Sequence, residues 1–274
     1  MKFFFKHKKI FILFILAVVA VCFWQYENNS IYVNEIEMES SSVNDELTFI
    51  EICDLHGRTF GKNNKTLIDR IDKIDPDFIC VTGDMFTRND EQGRAVAEDL
   101  LEILAQRYKV FFVRGEHDGD KSFLNHIENC GVQVLAYDKQ EITIKNTTVD
   151  IYGVSTVNYS ESYNLFNEFE KPDEMHYNIL MAHVLNPKAF ADFGADLTLS
   201  GDTHGGQVRL PVIGPLIYDG IWFPKYNYQG DMYDKGLYEV DGVKMFVSSG
   251  LGSYPYPVRF FNRPEIAVFR VKPN

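Results

Sequence analysis

Cysteine and basic residues are scarce in this chain of 274 residues. It has 4 cysteines, too few for a scaffold held together by many disulfides. Its 27 lysines and arginines are outnumbered by 39 aspartates and glutamates, which gives a formal net charge of −12. This balance argues against a general nucleic-acid-binding protein, because such a protein needs a basic surface to release counterions. No internal repeat of solenoid or propeller length is found, so those architectures are not expected.

What is present is the composition of a globular protein. Hydrophobic residues make up 45% of the chain and charged residues 24%, enough apolar material to bury a core. The length suits one large α/β domain better than two domains, once the N-terminal segment is set apart.

The N-terminal segment carries no acidic residue before Glu27. An unbroken apolar run, residues 10–24, follows four lysines at positions 2, 6, 8 and 9. We expect residues 1–24 to be an uncleaved signal anchor, a single transmembrane helix with its lysine-rich end in the cytoplasm and the folded domain on the extracytoplasmic side. A cleaved signal peptide is the alternative.

A polar, acidic stretch rich in serine and asparagine follows over residues 25–46, and it is interpreted as a linker. The folded domain is then expected over residues 47–274. An aromatic stretch at residues 221–228 is interpreted either as a lipid-facing groove or as packing of a C-terminal layer.

Short apolar runs in the domain predict strands that are buried on both faces. Two intervening segments place apolar residues at helical spacing, one around Leu67 and Ile71 and one around Leu100 and Leu104. Alternating strands and helices predict a largely parallel sheet, and a strand–turn–strand pattern over residues 132–156 adds antiparallel pairs, so two mixed sheets are expected. The predicted strands are 47–52, 78–82, 110–113, 177–182 and 197–200, with later ones at 236–240, 244–248 and 266–271.

Metal-ligand and acid–base residues follow directly after the first five predicted strands. In α/β sheets, ligands bind beyond the carboxyl ends of the strands, so these segments are expected to meet at one edge. Their joint occurrence in this order predicts a metal site. The segments are Asp54-Leu55-His56, Gly83-Asp84, Gly115-Glu116-His117-Asp118, His183 and Gly201-Asp202-Thr203-His204.

These motifs resemble those of the calcineurin-like metallophosphoesterase family, over nearly the whole exported part. The segments at residues 205–211 and 257–265 are similar to the membrane-associated bacterial branch that includes UDP-2,3-diacylglucosamine pyrophosphatases. The resemblance implies a four-layer α/β/β/α sandwich with two divalent metal ions at the carboxyl edge. It assigns Asp54, His56, Asp84 and His204 to the first metal, with Asp84 bridging both ions. It assigns Glu116, His183 and Asp202 to the second metal, makes His117 the acid or stabiliser at the phosphate, and has Asp118 orient His117.

The sequence departs from the family pattern at two ligand positions. Glu116 stands where the family has asparagine, and Asp202 stands where it has histidine. Two carboxylates in place of neutral ligands favour Mn²⁺, with Mg²⁺, Fe²⁺, Zn²⁺ or Ca²⁺ as other possible ions. The occupancy of the second site is therefore open.

We expect a membrane-tethered, metal-dependent phosphohydrolase that cleaves a phosphodiester or pyrophosphate bond. Its substrate would be a phosphorylated small molecule or a lipid-linked phosphate, and no nucleic-acid partner is expected. A scavenging phosphodiesterase or phosphatase is a second enzymatic interpretation. The alternative from another class is a non-catalytic, metal-stabilised cell-surface binding module. Four arginines are candidates to meet a phosphate, although salt bridges are an equal explanation for Arg58, Arg114, Arg259 and Arg263.

Overall fold

The computed structural model describes residues 2–155, 163–216, 227–228 and 231–274, with side chains described from residue 8 onward except over residues 217–231. The aromatic stretch at 221–226 therefore lies outside the described residues. Five helices are present in this part of the chain: α1 (Lys2–Asn29), α2 (Lys65–Ile74), α3 (Glu91–Ala105), α4 (Lys121–Asn129) and α5 (Pro187–Phe193). The strands are β1 (Tyr32–Ser40), β2 (Leu47–Ile52), β3 (Phe78–Val81), β4 (Lys109–Phe112), β5 (Gln133–Val134), β6 (Asp138–Ile144), β7 (Thr147–Val154), β8 (Tyr177–Ala182), β9 (Leu197–Ser200), β10 (Arg209–Leu210), β11 (Gly214–Pro215), β12 (Asn227–Tyr228), β13 (Asp231–Met232), β14 (Gly236–Val240), β15 (Val243–Val247) and β16 (Glu265–Pro273).

Two six-stranded mixed sheets form the body of the domain, as the sequence pattern predicts. The first has the order β1-β16-β2-β3-β4-β5, and the second has the order β14-β15-β9-β8-β7-β6. In the first sheet only the β16–β2 pair is antiparallel. In the second sheet the two outer pairs, β14–β15 and β6–β7, are antiparallel. The predicted strands agree with the observed ones to within one residue at most ends, because each is a short apolar run bounded by turn residues.

Three apolar clusters hold these elements together. One joins the first sheet to α2, α3 and α4, and includes Leu67, Leu101 and Phe123. The second lies between the two sheets, where Phe49 stacks on Phe78 with ring centroids 4.9 Å apart. The third joins the second sheet to α5. Both faces of each sheet are thus covered by other parts of the chain. This explains why the central strands do not alternate between polar and apolar residues.

The residues predicted as a linker form regular structure instead, so that prediction is wrong. Helix α1 continues to Asn29, and β1 pairs in parallel with β16 over nine residues, from Tyr32 opposite Glu265 to Ser40 opposite Pro273. The stretch is polar because β1 is an edge strand whose outward side chains meet solvent, while Ile31 and Met38 are buried. The folded domain therefore begins before residue 47.

Helix α1 is long and apolar enough to cross a membrane. Over Lys8–Asn29 its mean hydropathy is 2.2 and 6% of the most apolar window is buried. Length and composition alone are weak evidence, because a signal sequence passes the same test. Only the C-terminal end of α1 is buried against the domain, at Glu27 and Asn28.

Removal of β1 is expected to destabilise the domain. A chain that starts at residue 41 loses the β1–β16 pairing and the burial of Ile31 and Met38, whereas a chain that starts at residue 23 keeps both. We expect the shorter chain to melt about 5–10 °C below the longer one. Thermal unfolding of the two purified proteins measures the difference, and equal melting temperatures would show that residues 23–40 act only as a tether.

Candidate metal and phosphate site

The candidate metal ligands come together at the carboxyl ends of β2, β3, β8 and β9. Several of them adopt left-handed backbone conformations that non-glycine residues rarely use. The φ values are 50° at Asp54, 47° at His56, 52° at Asp84, 69° at Asp202 and 49° at His204. Such conformations concentrate at functional sites, where the surrounding structure holds the backbone in place. Here the stiff, buried strands fix the chain up to the turn, and the turn then aims each side chain at the common edge.

Buried imidazoles and carboxylates form three overlapping groups in which all potential ligand atoms lie within 4.8 Å of one another. Nε2 of His56 lies 3.2 Å from Nε2 of His204. Nε2 of His183 lies 3.4 Å from a carboxylate oxygen of Asp84. Asp54, His56 and Asp84 are each shared by two groups, and of the three the two carboxylates have a second oxygen with which to bridge two ions. The groups are Asp54 with His56 and His204, Asp54 with Asp84 and His183, and His56 with Asp84 and His117.

The donor chemistry fits divalent cations. Nδ1 of His183 is 2.7 Å from the carbonyl oxygen of Thr82, so this nitrogen carries the proton and donates it. Nε2 of a neutral His183 then presents a lone pair to the carboxylates of Asp84 and Asp202, at 3.4 and 3.7 Å. A lone pair and two carboxylates facing each other require a proton or a cation between them. A backbone carbonyl behind a ligating histidine is also the usual support of a metal ligand.

Burial and mutual charge shift the pKa values of these groups strongly. Burial, together with the charge of Asp84, raises the pKa of Asp54 to about 7. Burial alone would also raise the pKa of Asp84, but the neighbouring His183 outweighs it and holds that pKa below its ordinary range. Burial lowers the pKa of His56 to about 3, so this ring is neutral and available as a ligand. For His183, the charge of Asp84 overcomes burial and raises the pKa.

The two departures from the family pattern occupy different positions. Asp202 lies beside His183, and its backbone N–H donates to the carboxylate of Asp54 at 3.2 Å. Glu116 is exposed, and among the described residues its carboxylate belongs to none of the three groups. The structure thus brings six of the seven predicted ligands together and leaves Glu116 at the rim. The assignment of individual ligands stays a prediction.

His117 is half-buried at the mouth of this cluster. Its Nδ1 accepts a hydrogen bond from the backbone N–H of Arg88 at 3.1 Å, and its ring packs edge-on against Tyr254 with centroids 4.6 Å apart. The prediction that Asp118 orients His117 stays a prediction, and the hydrogen bonds of the described residues give Asp118 other partners. Its buried carboxylate accepts from the backbone N–H groups of Met85 and Gly115, at 2.9 and 2.6 Å. Burial is costly for an unpaired carboxylate, so Asp118 binds the turns that follow β3 and β4 to each other.

An open cavity of about 350 Å³ adjoins His117 and Glu116. Arg88 and Arg114 line it, and neither makes an ion pair with a carboxylate in the described part of the chain. Arg94 also lines the cavity but is paired with Glu98 at 2.8 Å. Arg88 was not recognised from the sequence, because nothing in the motif Gly83-Asp84 marks a residue four positions later.

The other candidate arginines have structural partners. Arg263 lies over the rings of Tyr26 and Tyr32. Arg58 donates to the backbone carbonyl of Asn28. Arg259 is fully buried and donates to the carbonyl oxygens of Ser249 and Gly252, both at 2.7 Å. These partners leave Arg114, of the four predicted residues, as the one that faces the cavity.

The loop from residue 249 to residue 263 supports the site from behind, a role that the sequence did not reveal. Tyr254 stacks on His56 with centroids 5.0 Å apart. The side chain of Asn262 donates to the carbonyl of His204 at 2.7 Å. The backbone N–H of Gly252 donates to the carbonyl of Asp54 at 2.6 Å. Each of these contacts fixes a residue that carries a candidate ligand.

The end of helix α1 is bound to the same loop. The side-chain amide of Asn28 makes a two-way pair with the backbone of Arg259, accepting from its N–H at 2.7 Å and donating to its carbonyl at 3.0 Å. Glu27 accepts from the backbone N–H of Asn262 at 3.1 Å. Because Asn262 in turn donates to the carbonyl of His204, the end of helix α1 and the candidate metal ligands belong to one hydrogen-bonded unit.

Two mixed sheets with a cluster of buried histidines and aspartates at one edge define a metal-dependent phosphoesterase. The calcineurin-like phosphoesterase family model matches residues 47–206, and the chain belongs to that family. This family binds a dinuclear site of divalent metal ions, and the clustered side chains are the candidate ligands.

Relatives are found in several bacteria. The chain is 29% identical over 217 residues to the metallophosphoesterase YkuE of Bacillus subtilis, covering 76% of this chain and 72% of YkuE. It is 26% identical over 248 residues to a metallophosphoesterase of Aquifex aeolicus, covering 86% of this chain and 89% of the relative. Among solved structures it is similar to the phosphopantetheinyl hydrolase PptH of Mycobacterium tuberculosis, with a TM-score of 0.41 and 16% identity over 76% of this chain and 91% of that chain.

The family match and the two bacterial relatives establish a phosphoester-hydrolysing enzyme, so the alternative of a non-catalytic binding module is set aside. None of the relatives just described carries the name of a UDP-2,3-diacylglucosamine pyrophosphatase. Membership of that branch therefore stays a prediction.

The raised pKa of Asp54 predicts how the metal-free protein responds to pH. Asp54 and Asp118 both have folded-state pKa values of about 7 against an ordinary value of 3.8, so the folded state binds more protons in this interval. These two carboxyl groups therefore lower stability as the pH rises from about 4 to about 7, whereas the lowered pKa values of His56 and His204 raise stability as the pH rises toward 6.5. The raised pKa of His183 likewise lowers stability as the pH rises, but in a higher pH interval. The lowered pKa of Asp84 changes stability only below about pH 4, where stability falls as the pH falls.

Thermal unfolding in chelator across this interval measures the balance of these opposing contributions, and Asp118→Asn isolates the contribution of one carboxyl group. The variant's melting temperature should fall less, or rise more, with increasing pH than that of the unchanged protein, since it lacks a carboxyl group that loses a proton in this interval. Saturating Mn²⁺ should raise the melting temperature of the unchanged protein most at the alkaline end, because a cation stabilises the ionised carboxylates. An identical pH dependence of the two proteins in chelator would contradict this account.

Proposed function

We propose that this enzyme is a membrane-tethered phosphohydrolase that cleaves a phosphodiester or pyrophosphate bond at a dinuclear metal site. The observation that carries the proposal is the set of overlapping ligand groups that share Asp54 and Asp84. Asp54, His56, Asp84 and His204 would hold the first ion, and His183 with Asp202 would hold the second. Glu116 reaches the second site only if its exposed side chain turns inward. The proposal includes a four-layer α/β/β/α arrangement, with helices outside both sheets.

Two divalent ions, when bound, supply charge stabilisation and a nucleophilic oxygen at neutral pH. The residues of this chain do the remaining work. His117 stands beside Asp84, with Nε2 4.0 Å from its carboxylate, and is placed to give a proton to the leaving oxygen. The Arg88 backbone fixes the ring, and its N–H donates to Nδ1. Nε2 of His117 is therefore the nitrogen that can carry and transfer the proton.

Arg88 and Arg114 support an anionic substrate. Both line the cavity next to His117 and lack a carboxylate partner in the described structure, so each is available for a phosphate oxygen. If one phosphate of a substrate lies at the metal ions, the group bonded to it, such as the second phosphate of a pyrophosphate, would lie in this cavity. The substrate class we propose is a phosphorylated small molecule or a lipid-linked phosphate near the membrane.

Membrane tethering is supported by the continuous helix α1. The end of α1 is bound through Asn28 to Arg259, so the C-terminal end of the helix belongs to the folded domain. We therefore favour a retained anchor with the lysine-rich end in the cytoplasm and the domain on the extracytoplasmic side.

The first test is hydrolysis of bis-p-nitrophenyl phosphate by the full chain in detergent, stripped of metal and resupplied with single ions. We expect turnover to return with Mn²⁺ and to fall at least about 100-fold in Asp84→Asn, because Asp84 is shared by two ligand groups. Asp99→Asn, on the exposed face of α3, is the matched control and should keep full activity. Folded protein that is inactive with every ion, or an active Asp84→Asn variant, would refute the proposal.

The preference for one metal ion over another is expected to depend on Glu116 and Asp202, the two carboxylates that depart from the family pattern. The double variant Glu116→Asn/Asp202→His restores neutral ligands, so the ratio of Zn²⁺-supported to Mn²⁺-supported turnover should rise about tenfold. The exposed Glu128→Asn change on α4 controls for loss of surface charge. Bound metal per chain, measured on the same samples, separates a change in affinity from a change in rate. An unchanged ratio would show that these carboxylates do not ligate.

A further inference from the structure

Helix α1 meets the domain at an aromatic contact. The ring of Phe23 packs on Phe260 and Phe261, with centroids 5.6 and 5.3 Å apart. Phe23 lies near the C-terminal end of the apolar segment, and the next residue, Trp24, is 45% exposed. Tryptophan is typical of the membrane–water interface, so the contact marks the level at which α1 would leave a bilayer.

A small hairpin stands directly beside this contact. Strands β10 and β11 pair, and the backbone N–H of Arg209 donates to the carbonyl of Phe260 at 2.9 Å. Phe261 lines the same groove as the hairpin residues. The hairpin, the loop at 258–261 and the end of α1 therefore form one continuous surface.

This surface is apolar and unusually open. Val212 and Ile213 at the tip of the hairpin are 108% and 71% exposed. Leu216, Val258 and Phe261 add further exposed apolar side chains. Water-exposed hairpin tips are ordinarily polar, and apolar clusters of this kind mark an interaction surface.

The charge of the same segments differs from that of the whole chain. Residues 203–216 and residues 242–264 contain no aspartate or glutamate, in a chain with a net charge of −12. Asp234 also lines the groove, but it is paired with Arg209 at 2.7 Å. An acidic domain is repelled by anionic headgroups, so a face whose described groove carboxylate is neutralised in this way is the one that can approach them.

We propose that the hairpin at residues 209–216, together with Val258 and Phe261, rests in the interfacial layer of the phospholipid bilayer that α1 crosses. The proposal rests on the membrane tethering proposed above. It follows from the continuity of this surface with the apolar helix, since residues beside the emerging helix lie at the level of the headgroups. The occupant is the lipid surface itself.

This placement sets the metal site close to the membrane. The loop that carries Val258 and Phe261 also carries Tyr254, which stacks on His56, and Asn262, which holds His204. The phosphate of a substrate whose apolar part stays in the bilayer would then lie within reach of the ligands.

A depth measurement on the full chain tests the surface. In a background of Cys22→Ser and Cys130→Ser, Ile213→Cys is labelled with a small fluorophore, and the protein is reconstituted in phosphatidylethanolamine–phosphatidylglycerol vesicles. A nitroxide placed high on the acyl chain should quench this probe at least about threefold more than the same probe at Met175→Cys. Met175 is 79% exposed and precedes β8, so it lies at the sheet edge opposite the site.

The outcomes are distinct. Equal quenching at the two positions would overturn the proposal. The probe at residue 213 could instead be quenched by a nitroxide on a second copy of the chain and not by the lipid nitroxide. That result would place a copy of this protein on the surface and would also overturn the proposal. Turnover of bis-p-nitrophenyl phosphate by the same samples reports on the proposed activity separately, because Ile213 contacts none of the candidate ligands.

Discussion

Carboxylates removed from water are the constraint around which this protein is arranged. Asp54 and Asp118 are fully buried, Asp84 nearly so, and their mutual repulsion must be offset within the protein. The domain offsets it with His183, with backbone N–H groups, and with the two cations that the family binds. Two sheets that end at one edge allow this, since the ends of β2, β3, β8 and β9 each contribute one or two of the groups. The arrangement is costly in the absence of metal and becomes favourable when cations are present.

The sheets were predictable because their strands are strongly apolar and sharply bounded. Leu47–Ile52, Tyr177–Ala182 and Leu197–Ser200 agree with the predicted limits residue for residue. The edge strand Tyr32–Ser40 was missed because its outward side chains are polar, and its pairing depends on β16, more than 200 residues away in the sequence. Local pattern carries no information about such a partner.

The candidate site, like the sheets, was predictable only in part. Residues that follow a strand, such as Asp54 and His183, could be proposed from position and chemical type. Asp118 shares its motif with His117, yet it binds the neighbouring turns, because motif spacing does not define which backbone groups face a side chain. Tyr254, Arg259 and Asn262 act through stacking and backbone hydrogen bonds. The sequence drew attention to residues 257–265 and to Arg259, but it did not reveal these supporting contacts, because their partners are distant in the sequence.

The left-handed backbone at the ligand positions has a consequence for how substitutions are interpreted. Alanine at Asp54, Asp84 or Asp202 removes a carboxylate and also places a residue less tolerant of this conformation at a φ between 50° and 69°. Asparagine accepts the conformation and is isosteric with aspartate. An alanine scan would therefore merge loss of ligation with loss of local folding and exaggerate the chemical importance of each position. Replacement by asparagine keeps the backbone cost nearly constant and isolates the contribution of the charge.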